Sequence, residues 1–194
     1  MTGARGVVCF AQWHLSGTLA DRDSNRQPSD YGAASLTSRP PLERWKESKQ
    51  VREKIKKQRV AFTASILTSK DQHHGPFNDE SNLVFSKILT NIGNAYNPNT
   101  GVFTAPVKGV YYFRYSGYGY AGNDMGLSIF KGSQRMVSSY EHRSADSNDN
   151  VSNGVVLELD VGDVVYARLW INTWVFTDSR YDYCTFSGFL LYPL

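Results

Sequence analysis

From Val60 onward, apolar and polar positions alternate with a period of two, interrupted at short intervals by turn residues. Alternation of that kind marks half-buried strands, because successive side chains of a strand point to opposite faces. Val60–Leu67 puts Phe62, Ala64 and Ile66 on one face. Val84–Leu89 and Val102–Pro106 read as short strands. Gly109 opens a segment in which Tyr111, Phe113 and Tyr115 form one apolar wall, while Tyr112 and Arg114 face the other way. Gly117–Gly122 is expected to loosen the far end of that strand. Leu127–Phe130 and Arg135–Tyr140 flank a hairpin turn at Lys131–Gln134. Gly154–Leu159 alternates, with Val155, Leu157 and Leu159 on one side. Val164–Ile171 has so little polar character that burial on both faces is expected. Thr185–Leu191 is the last strand. Thr68–Asn82, Asn94–Gly101, Glu141–Asn153 and Asn172–Asp182 are polar or turn-rich and read as loops. Eight to ten short strands without helical periodicity predict an all-β sandwich. A single sheet would leave one face of this apolar content wet; two sheets packed about 10 Å apart would not.

The first third has a different texture. Residues 16–41 are rich in Ser, Asp, Arg, Gly and Pro and sustain no period, and residues 1–41 read as a disordered or atypical leader. Gly6–Leu15 faintly suggests a signal peptide after Arg5, but Gln12 and His14 interrupt it and no cleavage pattern is clear. Residues 42–58 are dense in helix formers and read as a short helical linker. Leu42, Trp45, Val51 and Ile55 make no sustained heptad, which favours a solvated helix over an oligomerising stalk. Residues 59–194 form the globular domain. No apolar run approaches the roughly 20 residues of a membrane span, so membrane insertion is not expected.

Charge and aromatic content follow the same division. Residues 1–59 carry 12 Lys/Arg and 6 Asp/Glu; residues 60–194 carry 9 and 12. The overall basic balance therefore belongs to the N-terminal part, and it gives the globular domain no nucleic-acid signature. Of the 26 aromatic residues, 22 follow residue 59. That exceeds what one sandwich core holds. Tyr112, Tyr118, Tyr120, Trp170 and Trp174 are left over as a further apolar interface, which contact with another subunit would bury. Tyr112, Tyr118 and Trp170 are the candidates for contact between subunits.

Catalytic chemistry has no constellation to rest on. His73 and His74 are adjacent and would point apart on an extended chain, which makes no bidentate metal site. Ser187 before Gly188 is not a nucleophile elbow. The two cysteines, Cys9 and Cys184, are too distant in sequence and too few for a disulfide framework or a zinc site; a half-buried free thiol is expected at Cys184. Asn150-Val151-Ser152 is an N-glycosylation sequon, with Asn150 as the acceptor if the chain is exported.

Eight residues carry a family resemblance. Phe85, Asn91, Tyr96, Phe103, Gly109, Tyr111, Phe113 and Tyr115 stand at spacings similar to the signature of the globular C1q domain. Phe186–Pro193, with Phe186 and Gly188, resembles that family's last strand, and Leu157–Asp163 resembles its LxLxxGD segment. The resemblance covers about residues 59–194. It implies a ten-stranded jelly roll, related to tumour necrosis factor, that assembles as a homotrimer or, with related chains, a heterotrimer. It further implies a secreted, non-enzymatic protein that binds cell-surface receptors, immune ligands or carbohydrate. The short non-collagenous N-terminus is more like cerebellins and fish C1q-like proteins than the collagen-bearing members. The function implied is multivalent recognition through loop surfaces of an innate-immunity or complement-like kind. The alternatives are a synaptic organiser or cytokine-like receptor ligand, and a lectin. Some relatives bind calcium near the trimer axis, and Glu141 and Asp149 look like the carboxylates in those places. Calcium takes six to eight oxygens, so carbonyls and water would complete the set. A glycan on Asn150 would crowd that site.

Overall fold

The computed structural model describes residues 41–120, 122–145 and 147–194. The expectations placed on residues 1–40, including the leader, Cys9 and His14, lie outside the described residues. Among the described residues one helix, α1 (Pro41–Lys57), precedes the strands. Trp45, Val51 and Ile55 on it are exposed. Thirteen strands follow among the described residues: β1 (Ala61–Ser65), β2 (Gln72–His74), β3 (Ser81–Asn82), β4 (Lys87–Ile92), β5 (Tyr96–Asn97), β6 (Val102–Thr104), β7 (Gly109–Tyr120), β8 (Met125–Lys131), β9 (Gln134–Glu141), β10 (Asn148–Leu159), β11 (Val164–Leu169), β12 (Val175–Thr177) and β13 (Thr185–Pro193).

Ten of these strands build the two layers of a sandwich. One sheet has the order β10-β7-β13-β1-β4 and the other β5-β6-β11-β8-β9. The three extra strands are β2, β3 and β12, which arise in segments whose composition reads as loop. β3 adds to β11 at Ser81–Leu169 and Asn82–Arg168. β2 and β12 pair in a separate ribbon. Such short strands need only main-chain hydrogen bonds, so side-chain patterning does not announce them.

The inward face of β7 organises the core. Tyr111, Phe113 and Tyr115 are fully buried. Phe113 lies 5.0 Å from Phe103 and 6.2 Å from Phe186, ring centre to ring centre. Phe62 stacks on Tyr96 at 4.5 Å and meets Phe186 edge-on at 5.1 Å. Buried hydroxyls are each given an acceptor, as burial requires. Tyr111 donates to Val107 O at 2.7 Å, Tyr96 to Phe85 O at 3.0 Å, and Tyr115 to Leu127 O at 3.0 Å. Burial pushes all three phenols above their ordinary pKa, against the opposing effect of those hydrogen bonds.

Three expectations are corrected here. β7 does not loosen after Gly117; it runs unbroken to Tyr120 and pairs with β10 along its whole length. Gly117 serves close packing instead, since a Cβ there would come within 3.0 Å of Leu127 and 3.2 Å of Val151. Second, β11 is not buried on both faces: Val165, Ala167 and Leu169 are inside, while Val164, Tyr166 and Arg168 are only partly covered. Its outer face is shielded by its own aromatic and arginine side chains, not by a third layer. Third, Cys184 is buried rather than half-buried, with its thiol donating to Phe176 O at 3.2 Å; burial pushes the thiol up to about 11.

β9 and β10 lie at the adjacent edges of the two sheets. Side chains stitch those edges together. Ser139 Oγ donates to Ser152 O at 3.1 Å, Asn153 Nδ2 to Ser138 O at 2.8 Å, and Lys131 Nζ to Glu158 O at 2.9 Å.

One ionic cluster ties β1, β4 and the turn before β13. Both carboxylate oxygens of Asp182 accept from Lys87 Nζ at 2.8 Å, and the fully buried Ser65 donates to Asp182 Oδ1 at 2.6 Å. The Lys87 ammonium and then the Ser65 hydroxyl hold the Asp182 carboxyl below its ordinary pKa. A depressed carboxylate contributes stability above its unfolded pKa and loses it as pH falls through the folded value. Asp182→Asn is therefore expected to be less stable than the parent at neutral pH, with the difference shrinking below about pH 4. Urea unfolding at several pH values checks this.

Candidate functional site

The family-like residues turn out to be builders of the scaffold. Asn91 clamps Tyr96 from both sides: its Nδ2 donates to Tyr96 O at 2.8 Å, and its Oδ1 accepts from Tyr96 N at 3.4 Å. The Tyr96 hydroxyl then reaches back to Phe85. Phe103 meets Tyr111 edge-on at 5.6 Å. Gly109 and Gly188 allow close approach, since a Cβ at Gly109 would come within 2.7 Å of Leu190 and one at Gly188 within 2.4 Å of Phe113.

The sandwich presents two unlike outer faces. On the five-stranded sheet, the register sets Val156, Tyr112, Phe189, Ala61 and Ile92 side by side across all five strands. Val156 is 56%, Phe189 41% and Ile92 52% exposed. Tyr112 lies 5.5 Å from Phe189, and it leans over Gly154, where a Cβ would come within 2.4 Å of the Tyr112 hydroxyl. The next row is low and polar: Gly154, Arg114, Ser187, Thr63 and Thr90. Further along, Tyr118 pairs with Asn150 and stacks on Tyr183 at 4.3 Å. Large apolar side chains in an unbroken row on the open face of a sheet mark a contact surface. Tyr112 and Tyr118 thus share this face. Phe189, Val156 and Ile92 were missed in sequence; the signal was there for Phe189, which must point opposite to Phe186 and Gly188.

Trp170 is not with them. It lies just beyond β11, on the outer face of the six-stranded sheet. Its indole Nε1 donates to Ser128 Oγ at 2.6 Å, and its ring stacks with Tyr140 at 5.4 Å. Arg135 lies over both Trp170 and Phe130, and Arg168 over Phe130 and Tyr166. Glu80 accepts from Arg135 at 2.6 Å and lies 3.9 Å from Arg168.

Glu141 and Asp149 are strand residues, not loop residues. Glu141 ends β9, and Asp149 is the second residue of β10, paired with Gly119. A polar edge strand can form because its ladder is main-chain to main-chain. The stitched edges bring both carboxylates to the same end of the sandwich. Asp149 Oδ2 is buried and has no hydrogen-bond partner. Among the described residues, no three metal-ligating side chains of one chain converge. Asn150 is exposed and Ser152 faces the same way, toward the face of Tyr112 and Tyr118. A glycan there would stand on that face.

The histidines part as expected. His73 is ringed by Tyr120, Trp174 and Phe176 at 5.3–5.7 Å. His74 is hydrogen-bonded to Thr177 at 3.3 Å, and burial, then the neighbouring His73, lowers its pKa.

Comparison with known proteins bears on what these faces are for. The C1q domain family model matches residues 61–191. Complement C1q tumor necrosis factor-related protein 3 is 34% identical over 134 residues in both mouse and human, covering 69% of this chain and 51% of that protein. The chain thus spans about half the length of the curated relatives it matches. Among solved structures, the globular domain of zebrafish complement 1qA superposes with a TM-score of 0.55 at 23% identity, covering 70% of this chain and 99% of that one. Eiger, a tumour necrosis factor of S. frugiperda, superposes with a TM-score of 0.55 at 11% identity, covering 71% and 95%. At these identities the superpositions speak to fold: the sandwich is of the C1q and tumour necrosis factor type. With the family match spanning most of the described strands, the chain belongs to the C1q domain family.

Proposed function

We propose that this chain is an extracellular, non-enzymatic recognition module that works as a trimer. Its loops and outer sheet face would bind cell-surface or immune ligands in three copies at once. The observation that carries the reading is the apolar row Val156–Tyr112–Phe189–Ala61–Ile92, which crosses a whole sheet and is open to water in the single chain. A ring about a threefold axis closes when one surface of each subunit meets a different surface of the next. Three copies of a weak contact then gain avidity without any new bond. Size-exclusion chromatography with light scattering should return three chains per particle, either of this chain alone or, on mixing, with related chains. A clean monomer at micromolar concentration overturns the assembly.

Calcium fits the same picture. One carboxylate oxygen of Asp149 is buried and unpartnered, which suits a cation and is costly without one. One chain offers too few ligands among its described residues, so the carboxylates of Glu141 and Asp149 from several subunits would hold the ion together. Its chemistry there would be charge neutralisation. Calcium is expected to raise the melting temperature by several degrees, and Asp149→Asn to abolish that rise. Melting that ignores both calcium and chelator speaks against a metal.

A further inference from the structure

Arg114 stands alone in the middle of the outer face of the five-stranded sheet. It is exposed, and among the described residues it makes no hydrogen bond, ion pair or ring contact. The register seats it between Gly154 on β10 and Ser187 on β13, with Thr63 of β1 next in the row. The nearby hydroxyls are already engaged. Ser187 and Thr63 are bonded to each other at 2.9 Å, and Ser116, the next outward residue of β7, is bonded to Thr185 and donates to Tyr183 O. The five strands of this sheet hold two acidic residues, Asp149 and Glu158. Asp149 has its Oδ2 buried, and Glu158 lies 3.8 Å from Lys108. The sheet thus leaves a planar fork of donors without an anion of its own.

We propose that the next subunit of the trimer brings a carboxylate to Arg114, and that this ion pair decides which chains join the ring. The proposal rests on the assembly reading above, for which it supplies a rule of selection.

Spacing carries the argument. Two residues along a strand span about 7 Å. Tyr112 and Arg114 are two residues apart on one face, and Phe189 and Ser187 stand in the same relation on the neighbouring strand. A surface that covers the apolar row therefore covers the row of Arg114 too. Gly154, Ser187 and Thr63 are small, so that row is a trough beside the Tyr112–Phe189 ridge, with room for a side chain from the partner. A guanidinium buried there without an anion is strongly unfavourable. Arginine does not give up its proton, so it has no escape by neutralisation. The anion must come from a different surface of the neighbour, because a ring contact joins unlike surfaces and this face has no carboxylate to spare. The rest of the domain is rich in them. Residues 60–194 carry 12 Asp/Glu against 9 Lys/Arg, and the side chains of Asp71 and Asp79 are exposed and unpaired among the described residues. A chain that presented an apolar group to Arg114 would strand it, and one that presented a cation would repel it. Both are thereby kept out of the ring.

The test dilutes the intact chain and follows dissociation by light scattering, with circular dichroism to show that the sandwich is intact. Arg114→Met keeps the length of the side chain and removes its charge. The concentration at half-dissociation is expected to rise at least about thirtyfold, because the neighbour's carboxylate is left buried and unpaired. A trimer as tight as the parent, or tighter, overturns the proposal, since a guanidinium that met no anion would lose nothing by the change. The second set combines Arg114→Glu with each Asp or Glu of the chain changed in turn to Arg. One such reversal is expected to restore the trimer, and it names the partner. Restoration by none overturns the ion pair. A parent chain that is a monomer at micromolar concentration removes the assembly and this pair together, whereas a trimer indifferent to Arg114→Met removes the pair alone.

Discussion

Phe189→Glu is expected to break the trimer proposed above into folded monomers. In the single chain this position is 41% exposed, so a carboxylate there keeps its water and costs folding about 1 kcal/mol, chiefly the lost ring contact with Tyr112. In the assembly the same carboxylate would be buried without a partner, at several kcal/mol per copy. It would also stand beside Tyr112, whose ring lies 5.5 Å from that of Phe189. A closed ring repeats the penalty at each of three contacts. Light scattering reads the loss of assembly, and unchanged circular dichroism shows that the sandwich survives. A variant that remains a trimer would mean that subunits do not meet on this face.

Phe113→Ala is expected to cost about 3–5 kcal/mol, the usual range for emptying a fully buried aromatic position. Phe113 is fully buried between Phe103 and Phe186 and has Gly188 directly beneath its ring. The glycine supplies a second, linked test. A methyl group at Gly188 would come within 2.4 Å of Phe113 and 2.7 Å of Phe62, so Gly188→Ala alone should cost roughly 1–3 kcal/mol through overpacking. In the Phe113→Ala background the clash with Phe113 is gone and the Phe62 ring can shift into the vacated space, so Gly188→Ala should cost less. Urea unfolding of the two single variants and the double variant measures the coupling. Additive effects would show that the two positions do not share a space.

The reach of sequence reasoning follows from what each residue had to satisfy. Tyr111, Phe113 and Tyr115 were legible because a fully buried strand face must be apolar at every second position. The signature residues Asn91 and Tyr96 were legible as a spacing, and their mutual hydrogen bonds explain it: five residues is the span over which that clamp closes. Asp149 and Asn150 were misplaced in a loop because the start of β10 is polar throughout. Its pairing with Tyr118–Tyr120 uses main-chain groups alone. Trp170 was singled out correctly as surplus to the core, but nothing local reveals which sheet it would cover. Glu80, Arg135 and Arg168 are 88 positions apart at the extremes, and only the fold brings them into one ion-pair cluster. Gly126 was the one hint, a glycine inside a strand where another group lies close.

The stitching between β9 and β10 has a bearing on what this protein avoids. An open strand edge is a template on which further chains add indefinitely, the route to fibrils. Here Ser139, Asn153 and Lys131 spend the carbonyls of that margin on contacts within the chain. Growth by strand addition is thereby discouraged along this side. A contact between faces shuts into a finite particle when its rotation closes. A domain whose margin is closed in this way resists filament growth along that margin even at high local concentration.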